Sequence, residues 1–338
     1  MQSSDERPSM ALLRLIDGYQ ISQAIAVAAA LGVADLLAGG ARSSDDLAAA
    51  CGANPRALYR LLRALASVGV FHEEEGRRFA LTSLGDCLRT DMAESLAGLA
   101  VNRASQSHWH AWGQLLYSIQ TGQNAFRHLF GMSPWEYRAQ RPEEEAIFDR
   151  GMTSLSRQNT AAVLAAYDFD RFRRVVDVGG GQGALLAGIL ARHPNLRGVL
   201  FDQPAVVARA GQLLREANVA GRCELVGGDF FAAVPEGGDA YLLRFILHDW
   251  EDAEASAILR SCRRAIAPDG RLLVIERLIE PPNTGSDGKL ADLNMLVNPG
   301  GQERTPEEFA ALFAGAGFHL ARVIPTALDT SIVEALPV

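Results

Sequence analysis

Residues 174–184 read RVVDVGGGQGA. A short apolar run, Val175, Val176 and Val178, carries a single acid, Asp177, and breaks into Gly179, Gly180, Gly181 and then Gly183. The residues that follow, ALLAGILARH, place their apolar side chains at helical spacing. The pattern predicts a buried strand, a glycine turn and a helix. Glycine is needed where a turn takes backbone angles closed to other residues and where a ligand approaches the main chain with no Cβ in the way.

Two ligands compete for such a turn. Gly179, Gly181 and Ala184 fit a loose dinucleotide fingerprint. Asp177 argues against it, because a carboxylate two residues before the first glycine repels a pyrophosphate. A ligand with an ammonium group and a positive centre is welcome there, so S-adenosylmethionine is expected over NAD, and either over a turn with no ligand.

Downstream, strands and helices alternate. GVLFD (198–202) reads as a strand ending in Asp202, an acid suited to the hydroxyls of a ribose. CELVGGDFF follows, with Asp229 to accept from an adenine amino group and Phe230 to pack on its ring. YLLRFILHDW (241–250) reads as a third apolar strand reaching His248, and RLLVIER (271–277) as a fourth ending at Glu276. Ligands bind at the carboxyl ends of parallel strands, so one site collects all these residues. NPGGQERTPEEFAALFAGAGF is a glycine-rich loop and capped helix, and LARVIPT and TSIVEAL are strands meeting near Asp329. That terminal hairpin implies one antiparallel edge strand, which the dinucleotide fold normally lacks.

Upstream, Met10 to Leu37 read as one or two helices with alanine-rich apolar faces. SSDDLAAACG and NPRALYRLLRALASVGV are two capped helices, and FHEEEGRRFALT is a hairpin turning near Gly76. Together they predict a winged helix, a fold that often reads DNA. Residues 1–100 hold nine arginines and twelve acids, and the second helix offers only Arg56, Arg60 and Arg63. DNA-binding domains are basic, so a structural, dimer-forming role is expected instead. From Ser95 to Tyr167 the pattern is helical, broken at Gly122, Gly131 to Pro134 and Pro142, and rich in aromatics from Trp109 to Phe148. Some are core; a flat aromatic substrate would take its wall from the rest, Trp109 among them.

Composition sets the class. At 338 residues, 48% hydrophobic and 21% charged, the chain suits a globular protein of two domains. Its net charge of −8 opposes a nucleic-acid partner. MQSSDERPSM is neither a secretory signal nor a transit peptide, and the apolar stretch Ala24 to Ala34 is too short to span a bilayer, so a cytoplasmic protein with no membrane partner is expected. Cys51, Cys87, Cys223 and Cys262 form no CxxC pair or metal cluster and read as reduced, buried thiols. Lys289 is the only lysine, in the polar stretch NTGSDGK, which discounts Schiff-base chemistry. No metal is expected.

As a set and in this order, DVGGGQG, FDQP, GGDFF, LRFILHDWED, VIE and NPGGQERT resemble the S-adenosylmethionine-dependent small-molecule O-methyltransferases, plant caffeic-acid-type enzymes and bacterial enzymes of aromatic natural products among them. The resemblance covers nearly the whole chain. It implies a Rossmann-like class I methyltransferase domain (α/β) with an antiparallel edge strand, preceded by a winged-helix dimerisation domain that is all-helical apart from its wing. The expected boundaries are 1–100 for dimerisation, 101–165 for a helical linker and substrate pocket, and 166–338 for the cofactor. By resemblance, Gly179 with Asp177 and Gly181 holds the methionine part of the cofactor, Asp202 the ribose, and Asp229 and Phe230 the adenine, with Trp250 packing nearby. Arg244 stands where plant members commonly carry a lysine that contacts the cofactor. Alignment of FDRGMTSLS turns Met152 to the substrate and Ser156 to the cofactor carboxylate, and Asn298 matches a position that touches a substrate oxygen.

The resemblance also makes His248 the catalytic base, flanked by Glu276 and Glu303. A phenol is a poor nucleophile while protonated, and an imidazole in reach removes the proton as the oxygen attacks the sulfonium methyl in line. Flanking carboxylates orient the ring and favour the imidazolium. The expected protein is a homodimer that methylates a hydroxyl of a phenolic or polyketide-like molecule. Transfer to nitrogen or carbon on the same scaffold, a nicotinamide oxidoreductase and a winged-helix transcriptional regulator are the alternatives.

Overall fold

The computed structural model describes residues 7–92 and 95–338, with the backbone alone at 156–158 and 286. The chain divides into two compact units, Met1–Trp109 with Arg138–Leu155, and His110–Tyr137 with Ser156–Val338.

The first unit begins with three helices, Pro8–Ile16, Gly18–Ala30 and Val33–Leu37. One or two were expected; the chain breaks at Asp17 and again at Gly32, whose φ of 64° suits glycine alone. Ser44–Cys51 and Pro55–Ser67 follow, capped by the side chains of Ser43 and Asn54. Strands β1 (Arg42–Ser43), β2 (Phe71–Glu74) and β3 (Arg78–Leu81) pair in the order β1-β3-β2, so the wing gains a short third strand from the segment before the first capped helix. Leu47, Leu58, Leu62, Leu65, Phe71 and Phe79 are buried at its core.

The second unit is built on a seven-stranded sheet. β4 (Arg174–Val178), β5 (Arg197–Asp202), β6 (Cys223–Gly227), β7 (Ala240–Arg244) and β8 (Arg271–Glu276) run parallel in the spatial order β6-β5-β4-β7-β8. β9 (Phe318–Pro325) and β10 (Ser331–Pro337) complete it, with β10 between β8 and β9 and antiparallel to both. The antiparallel strand therefore lies one place in from the edge, not at it. Burial explains the order: Ile332, Val333 and Ala335 of β10 are fully covered, whereas much of β9 is exposed. Helices on both faces complete two apolar layers, one around Val176, Tyr241, Leu259 and Phe313, the other around Val175, Leu186, Ile189 and Leu242. Each such side chain buried contributes about 1.5–3 kcal/mol.

Two expectations need correction here. The strand read over 241–250 ends at Arg244, for a reason given below. Only Cys262 is a buried thiol; Cys51, Cys87 and Cys223 are half-buried, and all four are unbridged. Among the described residues no helix is long and apolar enough to cross a membrane.

Candidate active site

β4 delivers the chain to the glycine turn, where Gly179, Gly181 and Gly183 take φ of 69°, 59° and 81°. The turn is tied down from β5: Gly179 N–H donates to Phe201 O at 2.7 Å, and Gly181 N–H to Asp202 Oδ2 at 2.8 Å. Asp177 is not on an open surface. It is 1% exposed and lies beneath the turn, where a Cβ on Gly180 would come within 2.6 Å of its Cγ. Burial pushes its carboxyl up to about 6, against the pull of Arg244. Asp177 thus supports the turn from below, its Oδ2 buried with no hydrogen-bond partner among the described residues, and it acts on anything above the turn through its charge.

Around the turn, Asp202 is half-buried and also accepts from Gln203 N–H at 2.7 Å. Asp229 is exposed and accepts from Phe231 N–H. Phe230, Phe231 and Trp250 meet edge to face, with centroids 4.8–6.0 Å apart. Phe231, which the sequence reading did not single out, thus joins the two aromatics it did.

After Arg244 the strand stops because its amides are taken elsewhere. Phe245 adopts φ 54°, a left-handed conformation costly for a residue with a Cβ. Glu276 Oε1, at the end of β8, then accepts from three consecutive amides, Ile246 (3.1 Å), Leu247 (2.7 Å) and His248 (3.3 Å), and fixes a single 3-10 turn, Leu247–Asp249. His248 sits in that turn, 7% exposed, its ring stacked on Phe245 at 5.5 Å. Its Nδ1 lies 3.0 Å from Glu303 Oε1 and 3.8 Å from Glu276 Oε2. An ionised carboxylate only accepts, so Nδ1 carries the proton shared with Glu303, while Nε2 faces Asp249 Oδ1 at 3.6 Å, too far for a hydrogen bond.

Burial pulls the His248 pKa down, but Glu276, Glu303 and Asp249 outweigh it and hold the imidazole up at about 10. Burial likewise raises Glu276, opposed by His248. Both shifts say that the cluster retains protons. Glu276 Oε2 and Glu303 Oε2 are buried with no hydrogen-bond partner among the described residues. The three ligand-type atoms lie within 4.8 Å of one another, close enough to surround a cation. A cation would have to displace the Nδ1 proton and share Glu276 with three amides, so the hydrogen-bonded arrangement suits proton transfer better.

The loop 298–304 closes over this turn. Gly301 packs so tightly that a Cβ would fall 2.1 Å from His248 O and 2.3 Å from Trp250 N. Arg304, 1% exposed, donates to the carbonyls of Leu247 and Trp250 at 2.9 Å and to Asp252 Oδ1 at 2.8 Å. It holds the ends of the turn that Glu276 holds in the middle. The sequence reading missed it, although its place between Glu303 and Thr305 in the quoted motif was a signal. Asn298 is buried; its amide donates to Asn294 Oδ1, which also accepts from Trp112 Nε1.

The structure thus brings His248, Glu276 and Glu303 together, and places the turn glycines, Asp202, Asp229, Phe230, Arg244 and Trp250 at the ends of neighbouring strands of the same sheet. Met152 and Trp109 belong to the first unit, half-buried and exposed respectively. The Ser156 side chain lies outside the described residues.

Comparison with known proteins adds the following. A sequence profile for an O-methyltransferase domain matches residues 112–319, and one for an O-methyltransferase dimerisation domain matches residues 13–91. A phenazine O-methyltransferase of Lysobacter antibioticus is 45% identical over 98% of this chain and 96% of its own. An 8-amino-8-demethylriboflavin N,N-dimethyltransferase of Streptomyces davaonensis is 37% identical over 97% and 96%. Human N-acetylserotonin methyltransferase, solved with S-adenosylmethionine, superimposes with a TM-score of 0.91 at 29% identity over 100% of this chain and 99% of that one. An O-methyltransferase from neocarzinostatin biosynthesis, solved with S-adenosylmethionine and a hydroxylated naphthoic acid, gives 0.77 at 35% identity over 94% and 96%.

Proposed function

The chain belongs to the S-adenosylmethionine-dependent O-methyltransferase family, and from that premise we propose that His248 is the general base that activates a hydroxyl on a planar aromatic acceptor. The observation that carries the proposal is the orientation of His248, whose Nδ1 is hydrogen-bonded by Glu303 and whose Nε2 lies 3.6 Å from Asp249 Oδ1, beyond hydrogen-bond distance.

The residues around the glycine turn fit the cofactor. A Cβ on Gly181 would meet no atom within 4 Å, so there is room above the turn, and the Asp202 carboxylate stands beside it, bonded to the Gly181 amide. Gly179 and Gly181 would hold the methionine portion with Ser156 on its carboxylate, Asp202 the ribose, and Asp229, Phe230 and Trp250 the adenine. Arg244 and the buried Asp177 set the charge beneath. Bound there, S-adenosylmethionine supplies an electrophilic methyl group on a cationic sulfur.

His248 takes the acceptor proton at Nε2 as the phenolic oxygen becomes a nucleophile. The carboxylates that hold the imidazole above its ordinary value strengthen it as a proton acceptor, so its basic form is reached on the alkaline side of neutrality. Glu303 stabilises the imidazolium and fixes its plane, while Glu276 holds the turn that presents it. Positioning contributes as much as proton removal, so variants without the base retain some rate. Met152, Trp109 and Asn298 are the proposed acceptor contacts. Hydroxylated phenazines and naphthoates, the compounds in relatives' names, are the first acceptors to try. A second reading, transfer to an aromatic amine, is favoured by the N,N-dimethyltransferase among the relatives.

Assembly as a homodimer is proposed from the matched dimerisation domain and from Leu12, Leu13, Leu15 and Ile16, which stand exposed on the first helix. A cytoplasmic location is proposed, in keeping with four cysteines that form no disulfide.

Calorimetric titration with S-adenosylhomocysteine and NADH, followed by an acceptor panel of paired hydroxy- and amino-arenes, tests the function. Binding of the first alone and methylation of the hydroxyl members is the expected result. NADH binding without S-adenosylhomocysteine binding contradicts it, and methylation confined to amines selects the second reading.

A further inference from the structure

The helix Pro55–Ser67 turns Leu58, Leu62 and Leu65 into the core of the first unit. Its other side carries Arg56, Arg60 and Arg63, all exposed. Steps of four and three residues align them along one face over about 10 Å. The β2–β3 hairpin adds a fourth: Arg77, at φ 57°, holds its guanidinium 4.7 Å from the ring centre of Tyr59, and Arg63 lies 5.4 Å from the same ring. These residues, with Asp45, line a cleft of about 560 Å³. Among the described residues none of the four guanidinium groups has an ion-pair partner.

Gathering four cations beside a single acid, Asp45, costs free energy, and an anion in the cleft relieves it. Guanidinium forks match phosphate oxygens in pairs. Tyr59 already restrains two of the four through cation–π contact, which lowers the entropy lost on binding. The geometry points to a second ligand site on this face, for a compact polyanion carrying a linked di- or triphosphate group. The surrounding charges set the size. The hairpin that supplies Arg77 also carries Glu73, Glu74 and Glu75, and the preceding helix opens with Asp45 and Asp46 in its first turn. A nucleic-acid duplex would lay a long row of phosphates across helix and wing and meet all of those acids, whereas a triphosphate is short enough to sit on the four arginines with Asp45 the one acid among the residues that line the cleft.

The intact protein is titrated calorimetrically with sodium tripolyphosphate, with sodium sulfate at matched ionic strength and with duplex DNA. The same titrations are run on Arg60→Ala/Arg63→Ala, on Arg77→Ala, and on Arg192→Ala, an exposed arginine of the second unit. S-adenosylhomocysteine binding serves as the check that each variant is folded. Tripolyphosphate should bind the wild type and Arg192→Ala equally, and about tenfold or more weakly in the cleft variants. Absence of wild-type binding, undiminished binding in the cleft variants, equal weakening by Arg192→Ala, a response matched by sulfate, or tighter binding of DNA through the same arginines would each overturn the proposal.

Discussion

His248 is legible in the sequence because the motif around it is; the state of its proton is not, because that depends on which carboxylates the fold turns toward it. Glu303 approaches Nδ1 at 3.0 Å, Glu276 stays at 3.8 Å while gripping three amides, and the sequence reading had given the two acids the same part. The parts of Phe245 and Arg304 go unread for a related reason: both act by fixing a backbone conformation that no spacing rule encodes, although Arg304 lies inside a quoted motif. As the proposed base, His248 works only when Nε2 is unprotonated, and the folded chain holds it above its ordinary 6.5, so kcat/KM for a phenolic acceptor should climb with pH well past neutrality. Glu303→Gln removes a charge that favours the imidazolium, so the rising limb should move to lower pH while the plateau falls with lost orientation. A pH–rate profile of the two proteins checks this, and an unshifted limb would deny Glu303 its part.

Strands were read well where apolar runs end in an acid, as at Asp202 and Glu276, since burial and strand termination coincide there. They were read poorly where tertiary contacts decide. The run 241–250 keeps its apolar character past Arg244, but Glu276 captures its amides, and β10 sits inside the sheet because its side chains bury better than those of β9. Two loops can be compared by adding one methyl group to each. Gly301→Ala drives a Cβ against His248 O and Trp250 N, backbone atoms with no room to yield, and should cost about 1–3 kcal/mol of stability together with activity. Gly181→Ala meets open space, so apart from the strain of its positive φ, about 1 kcal/mol, the loss should fall on cofactor affinity. Thermal melts paired with S-adenosylhomocysteine titrations separate the two, and unchanged affinity in Gly181→Ala would contradict the assignment of the turn.

At the scale of the molecule, the chain joins a unit with an exposed apolar helix to a unit that carries the proposed chemistry. Light scattering should return twice the mass of one chain, and Leu13→Asp/Ile16→Asp should return a single chain; a monomeric wild type at micromolar concentration would contradict the dimer. The most direct test of the whole account is the single-turnover rate of methyl transfer from S-adenosylmethionine to a hydroxylated phenazine or naphthoate, in the wild type and in His248→Ala. The account predicts an O-methylated product and a rate lower by about 10²- to 10⁴-fold in the variant, with S-adenosylhomocysteine affinity unchanged. A variant that transfers the methyl group as fast as the wild type would contradict it.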